Sequence, residues 1–141
     1  MIKAFAIFGI TFLLAINTFG KDLLKPLKWN HRPLLIFSPS KDKHLEKQLL
    51  EIDQNQKGII ERDMKIFILH SNLTGTMDDN AIDSVQVADL YKKFDVSPEQ
   101  FSILLVGKDG GVKMRKTQSL EMKEIFAIID KMPMRQREMR N

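Results

Sequence analysis

Three uninterrupted apolar runs, Leu34–Phe37, Ile66–Leu69 and Ile103–Val106, punctuate a chain whose other stretches are patterned like helices or turns. Short apolar runs bounded by turn residues, rather than alternating with polar ones, predict strands buried on both faces. Pro33 and Ser38-Pro39 bound the first run, and the second belongs to a strand predicted from Met64 to Leu69. Between Lys41 and Gln56, Leu45, Leu49 and Ile52 recur at helical spacing, with Ser40 or Asp42 as N-cap and Gly58 as a stop. Ser71–Asp83 is polar and reads as a loop, long for a compact domain.

A second helix is predicted from Asp83 or Ser84. Val87, Leu90, Tyr91 and Phe94 make its buried face, and Asp83 and Gln86 stand at capping-box spacing. Lys108-Asp109-Gly110-Gly111 is the strongest hairpin signal, because Asp-Gly tolerates the positive φ of a tight turn, and Val112–Arg115 is the returning strand. A last helix, capped by Ser119, aligns Met122, Ile125, Phe126 and Ile129 and ends near Asp130, before a basic tail. The order is β-α-β-α-β-β-α. Buried strands joined through a helix predict a parallel βαβ unit, and the hairpin adds antiparallel partners. The fold class expected is α/β, a mixed sheet flanked by helices.

Residues 1–20 change the picture of where the chain works. Lys3 followed by the apolar run Ala4–Ile16, with Thr18 and Gly20 at the −3 and −1 positions, is the pattern of a cleavable signal peptide. The run is short for a bilayer span, which needs about 20 apolar residues. The expected organisation is a signal peptide over 1–20 and a single domain over 21–141, exported to the periplasm or the extracellular space. An uncleaved anchor is the alternative. The chain has no cysteine, so disulfides and thiol catalysis are excluded. Beyond residue 20 there are 21 basic against 18 acidic side chains, a surplus too small and too interspersed to predict nucleic-acid binding.

The element order is that of the thioredoxin fold. Four stretches are more specific: Trp29-x-x-Arg32-Pro33-Leu34-Leu35-Ile36-Phe37, Glu61-Arg62-Asp63, Gly107-Lys108-Asp109-Gly110-Gly111-Val112-Lys113, and Asp130-x-Met132-Pro133-Met134-Arg135. On these the chain resembles the secreted, peroxiredoxin-like P-DUDES family, domain of unknown function 4174. The resemblance implies a thioredoxin-like sheet. It carries no redox catalysis here, because the loop where related folds hold the nucleophilic cysteine reads Ser38-Pro39-Ser40-Lys41-Asp42-Lys43-His44. A serine there has no adjacent base evident to activate it.

That loop nevertheless predicts a binding position. A helix start exposes unpaired N–H groups that favour an anion, so Ser38, Ser40, Lys41, Lys43 and His44 are candidate ligand contacts. Lys108, Arg115 and Arg135 are further candidate cations for the same kind of ligand. His31, His44 and His70 lack metal-ligand spacing. Asp78, Asp79, Asn80 and Asp83 offer oxygen ligands without a calcium loop's glycine and terminal Glu. Met114, Met122, Met132, Met134 and Met139 raise a soft-metal reading, with Met132-x-Met134 the one tight spacing. No cofactor or metal is expected. The function expected is a non-catalytic binding module for a protein, glycan or small anion. The alternatives are a thiol-independent enzyme at the Ser38–His44 edge and a methionine-based metal binder. Lys131, Arg135, Arg137 and Arg140 would let the tail touch anionic surfaces weakly.

Overall fold

The computed structural model describes residues 21–141; the signal-peptide reading therefore lies outside the described residues. After a 3-10 turn at Lys25–Leu27 come β1 (Arg32–Ser38), α1 (Lys43–Gln54), α2 (Gln56–Glu61) and β2 (Met64–His70). A small hairpin, β3 (Gly75–Met77) and β4 (Asn80–Ala81), precedes α3 (Ser84–Lys93). The chain closes with β5 (Ser102–Val106), β6 (Val112–Lys116), α4 (Met122–Asp130) and α5 (Pro133–Glu138).

The six strands form one mixed sheet in the order β4-β3-β2-β1-β5-β6. β1 and β2 run parallel, as the helix between them requires, while β1–β5, β2–β3 and β5–β6 are antiparallel. All seven residues of β1 and all five of β5 are buried, which is why these central strands read as unbroken apolar runs. The sheet separates two cores. Leu34 and Ile36 face α1, α2 and α4, packing on Ile52, Ile59, Met122, Ile125 and Ile129. Leu35 and Phe37 face α3 and the entry segment, packing on Leu24, Leu90, Tyr91 and Phe94. The predicted helices thus sit on both faces.

Several boundaries moved, each for a local reason. Asp42, not Ser40, caps α1: its Oδ1 accepts the His44 N–H at 2.7 Å. Gly58 does not stop a helix but lies inside α2, where a Cβ would stand 2.6 Å from the Phe126 ring. Glu121 rather than Ser119 caps α4, forming a capping box with Glu124. The Ser71–Asp83 stretch is not a plain loop. Asp78 and Asp79 take positive φ (45° and 67°), the geometry of a tight hairpin, which aspartate tolerates better than most residues. Asp78 also completes the ladder: its N–H donates to the Ile66 carbonyl and its Oδ1 accepts the Ile66 N–H, both at 2.8 Å. Finally, the basic tail folds back as α5.

Candidate functional site

The loop following β1 is where the sequence placed a ligand. Ser38 is fully buried, and its hydroxyl donates to the Pro39 carbonyl at 2.7 Å. Ser40, Lys41 and Lys43 are exposed. His44 is half-buried, its ring tilted against Phe101 with centroids 5.4 Å apart and its Nδ1 accepting from the Ser119 N–H at 3.4 Å. Of the predicted residues, Lys43 and His44 come together, lining an open, shallow depression with Lys47, Gln118 and Ser119. Ser38 and Ser40 do not line it. Asp42 already occupies the His44 N–H at the helix start, which weakens the anion site expected there. Beneath this edge, Tyr91 donates to the Leu69 carbonyl at 3.1 Å, and burial pushes its hydroxyl pKa up to about 12. The phenol stays protonated at any physiological pH.

Lys108, Arg115 and Arg135 lie elsewhere, each already engaged. Arg115 donates to the Phe94 carbonyl. Lys108 and Arg135 are buried in an ion-pair network at the opposite end of β1. Glu138 is one hub. Its Oε1 accepts from Lys108 Nζ at 2.7 Å and from Arg32 Nη2 at 3.0 Å, and its Oε2 from Arg32 Nη1 at 3.1 Å. Lys108 also reaches Asp63 at 2.8 Å. Asp130 is the second hub, holding Arg62 at 2.8 and 3.0 Å and Arg135 at 3.1 Å, while Arg135 also binds Glu61 at 2.9 Å. Four carboxylates thus neutralise four cations, and little charge is left over for a ligand.

The titration behaviour follows. Hydrogen bonds from Arg62, with Arg135 in support, hold the Asp130 carboxyl below its ordinary range. Burial opposes ionisation of Glu138, but hydrogen bonds from Arg32 and Lys108 outweigh it and its pKa is also lowered. Burial likewise opposes the charge on Arg135, and Asp130 and Glu61 more than compensate. The network pins α5 across the amino ends of β1 and β2. The tail is therefore a docked helix, with Lys131, Arg137 and Arg140 still exposed.

A concavity of about 460 Å³ lies beside this network, where α1 and α2 leave β2 and β3 uncovered. Leu49, Ile52, Ile59, Ile60, Ile66 and Ile68 supply its apolar lining, and Asp53, Asp63, Asp78 and Asp79 its acidic groups, against Lys65 and His31. Lys65 pairs with Asp78 at 3.1 Å and Asp63 with Lys108, so Asp53 and Asp79 stand without an ion pair among the described residues. Ile60 is 72% exposed and Leu49 41%. The sequence assigned Leu49 to the core; exposure of these two residues is the signal that only the packing reveals.

The family model for a domain of unknown function, DUF4174, matches residues 23–138. The chain belongs to this family. Among curated proteins, the zebrafish (Danio rerio) coiled-coil domain-containing protein 80 is 41% identical over 69 residues, which is 48% of this chain and 8% of that protein. Among solved structures, the fold matches a Plasmodium vivax 2-Cys peroxiredoxin at a TM-score of 0.57 and 15% identity, covering 76% of this chain and 68% of that one. StoA from Bacillus subtilis matches at 0.53 and 13%, covering 74% and 85%. Plasmodium yoelii thioredoxin peroxidase I matches at 0.53 and 15%, covering 76% and 75%. These likenesses establish a thioredoxin-like, peroxiredoxin-like fold, here in a DUF4174 chain without cysteine.

The four stretches that carry the family resemblance converge in space. Arg32, then Glu61, Arg62 and Asp63, then Lys108, then Asp130 and Arg135 each supply members of the one network. Glu138, the hub outside those stretches, gave no signal of its own in the sequence. What marks this DUF4174 chain is thus an electrostatic lock at the end of the sheet remote from the Ser38 loop.

Proposed function

We propose that the chain is an exported, non-catalytic thioredoxin-like binding module. Its groove between α1–α2 and β2–β3 takes a partner segment carrying apolar side chains and basic groups. The observation that carries this reading is the groove itself, an apolar floor with carboxylates Asp53 and Asp79 in no ion pair among the described residues. Buried apolar contact supplies affinity, and the carboxylates select a cationic segment over an anionic one. A non-catalytic role is supported by the commitments at the Ser38 loop: the Ser38 hydroxyl is bonded internally, and His44 Nδ1 faces the Ser119 N–H at 3.4 Å with the Ser119 hydroxyl at 3.5 Å, a contact too long for an activated serine. Export is supported by the pattern of residues 1–20 alone; the expected outcome is an exported protein whose mature N-terminus, by mass, is Lys21.

The binding test uses synthetic peptides of leucine with lysine, and of leucine with glutamate, titrated into labelled protein and followed by amide shifts. The lysine peptide is expected to shift Ile60, Ile66 and Thr76, and the glutamate peptide to shift none of them. Ile60→Lys, at an exposed position that should not disturb folding, is expected to abolish the response. Shifts confined to Lys43, His44 and Lys47, or none anywhere, would overturn the reading.

A further inference from the structure

A different face of the molecule carries a second, independent signal. The entry segment lies against α3, tied by the Gln86 side chain donating to the Lys21 carbonyl at 3.1 Å. Lys25, Lys28 and Lys93 line one depression there, and Lys21, Lys92 and Lys93 line the adjoining one. Among the described residues none of these five lysines enters an ion pair. Three carboxylates lie nearby: Asp22 accepts the Leu24 N–H, Asp109 holds Lys113, and Asp89 lines the second depression unpaired among the described residues, so the lysines remain in excess. What sets this face apart from the other unpaired cations is that its five lysines gather around two adjoining depressions.

Trp29 adjoins them, with Lys28 Nζ 5.3 Å from its ring centroid. It is the chain's one tryptophan, and it is 58% exposed. Its backbone sits at φ 72°, a region costly for a bulky residue, fixed by its N–H donating to the Lys108 carbonyl at 2.6 Å. A large aromatic held outward in a strained turn, rather than packed, calls for an explanation outside the folded domain.

We propose that this face docks on an anionic lipid surface, the five lysines meeting the headgroups and Trp29 entering the interface. Tryptophan prefers the headgroup level, where its ring is half-solvated, and lysines near an anionic leaflet are attracted within a Debye length. A lipid surface is favoured over an acidic glycan by the exposed indole, which a headgroup interface accommodates and a polyanionic sugar chain does not. The inference does not depend on the groove reading: the two sites share His31 in their linings, but no lysine of this face lines the groove.

Trp29 is itself the probe. The full chain is mixed with phosphatidylcholine vesicles, with and without phosphatidylglycerol. The N-terminal stretch, with Lys3, is common to every variant, so the readout is the difference between variants on the anionic vesicles. Expected are a blue shift of Trp29 emission and quenching by brominated lipid on the anionic vesicles, both reversed at high salt. Each lysine near such a surface is worth roughly fivefold in partitioning, so Lys25→Ala/Lys28→Ala/Lys93→Ala is expected to lower binding by on the order of a hundredfold. The charge-matched control Lys47→Ala/Lys57→Ala/Lys131→Ala, on other surfaces, is expected to bind as the unaltered chain. Equal loss in both triple variants, no blue shift on anionic vesicles, or a blue shift only with heparin in place of vesicles would each overturn the proposal.

Discussion

Replacing Glu138 by glutamine tests whether the ionic lock holds the last helix. In the native protein the Glu138 carboxylate accepts three charge-assisted hydrogen bonds, two from Arg32 and one from Lys108. The side chains of Arg32 and Lys108 are only 1% and 9% exposed, so water cannot replace the lost charge. Removing one partner of a buried pair costs about 3–5 kcal/mol. Glu138 is itself 26% exposed, and solvent screening brings the expected loss to or below the lower end of that range, about 2–3 kcal/mol. For a domain of this size that lowers Tm by on the order of 10 °C.

The pH dependence supplies a second readout. The Glu138 and Asp130 pKa values are depressed on folding, so the unfolded chain binds more protons than the native one in mild acid. Their stabilisation is complete above the ordinary carboxylate range, about pH 4–5, and is lost as pH falls through the lower native values. Urea midpoints measured from neutral to acid pH should therefore fall less steeply for Glu138→Gln than for the unaltered chain. Adding Lys108→Met removes a buried cation left with Asp63 as its one remaining carboxylate, so the double variant is expected to cost less than the sum of the single ones. A loss below about 0.5 kcal/mol, with an unchanged acid slope and additive variants, would refute the lock and leave α5 held by apolar packing alone.

Cysteine placed at Ser38 is expected to resist a thiol-labelling reagent in the native state, whereas cysteine at Ser40 reacts readily; equal rates would show that the loop opens. Asp78→Ala removes the acceptor for the Ile66 N–H and the partner of Lys65, and is expected to cost about 1 kcal/mol, with faster amide exchange confined to β3, β4 and the facing part of β2. Unchanged exchange there would mean that the hairpin is held by its backbone ladder alone. Met122→Ala empties a fully buried position between α1 and α4 and is expected to cost about 2–5 kcal/mol by urea titration; a loss under about 1 kcal/mol would show that the core collapses around the gap.

Much of the fold was legible because its signals are local. Unbroken apolar runs announce central strands, since both faces of β1 and β5 are covered. The Val87, Leu90, Tyr91 and Phe94 spacing and the Asp109-Gly110 turn likewise report their own backbone. The β3–β4 hairpin was not legible, because two- and three-residue strands have no periodicity, and Asp78 and Asp79 serve it through backbone angles. At the candidate site, a lysine or arginine in a sequence looks the same whether free or paired. Lys108 and Arg135 are candidate free cations by sequence, yet Lys108 meets Asp63 and Glu138, 45 and 30 residues away, and Arg135 meets Glu61, 74 away, besides the nearby Asp130, once the tail helix docks.

By itself, then, the sequence determined the thioredoxin-like order of elements and the absence of thiol chemistry, because both rest on residue identity and short-range spacing. The tertiary structure alone decided which charges are spent and which are free. Arg32, Arg62, Lys108 and Arg135 are neutralised within the lock, while Asp53, Asp79 and the lysines around Trp29 face outward. The physical reason is that Coulomb and hydrogen-bond partners are set by distance in space, and this fold brings residues from both ends of the chain within 3 Å of one another.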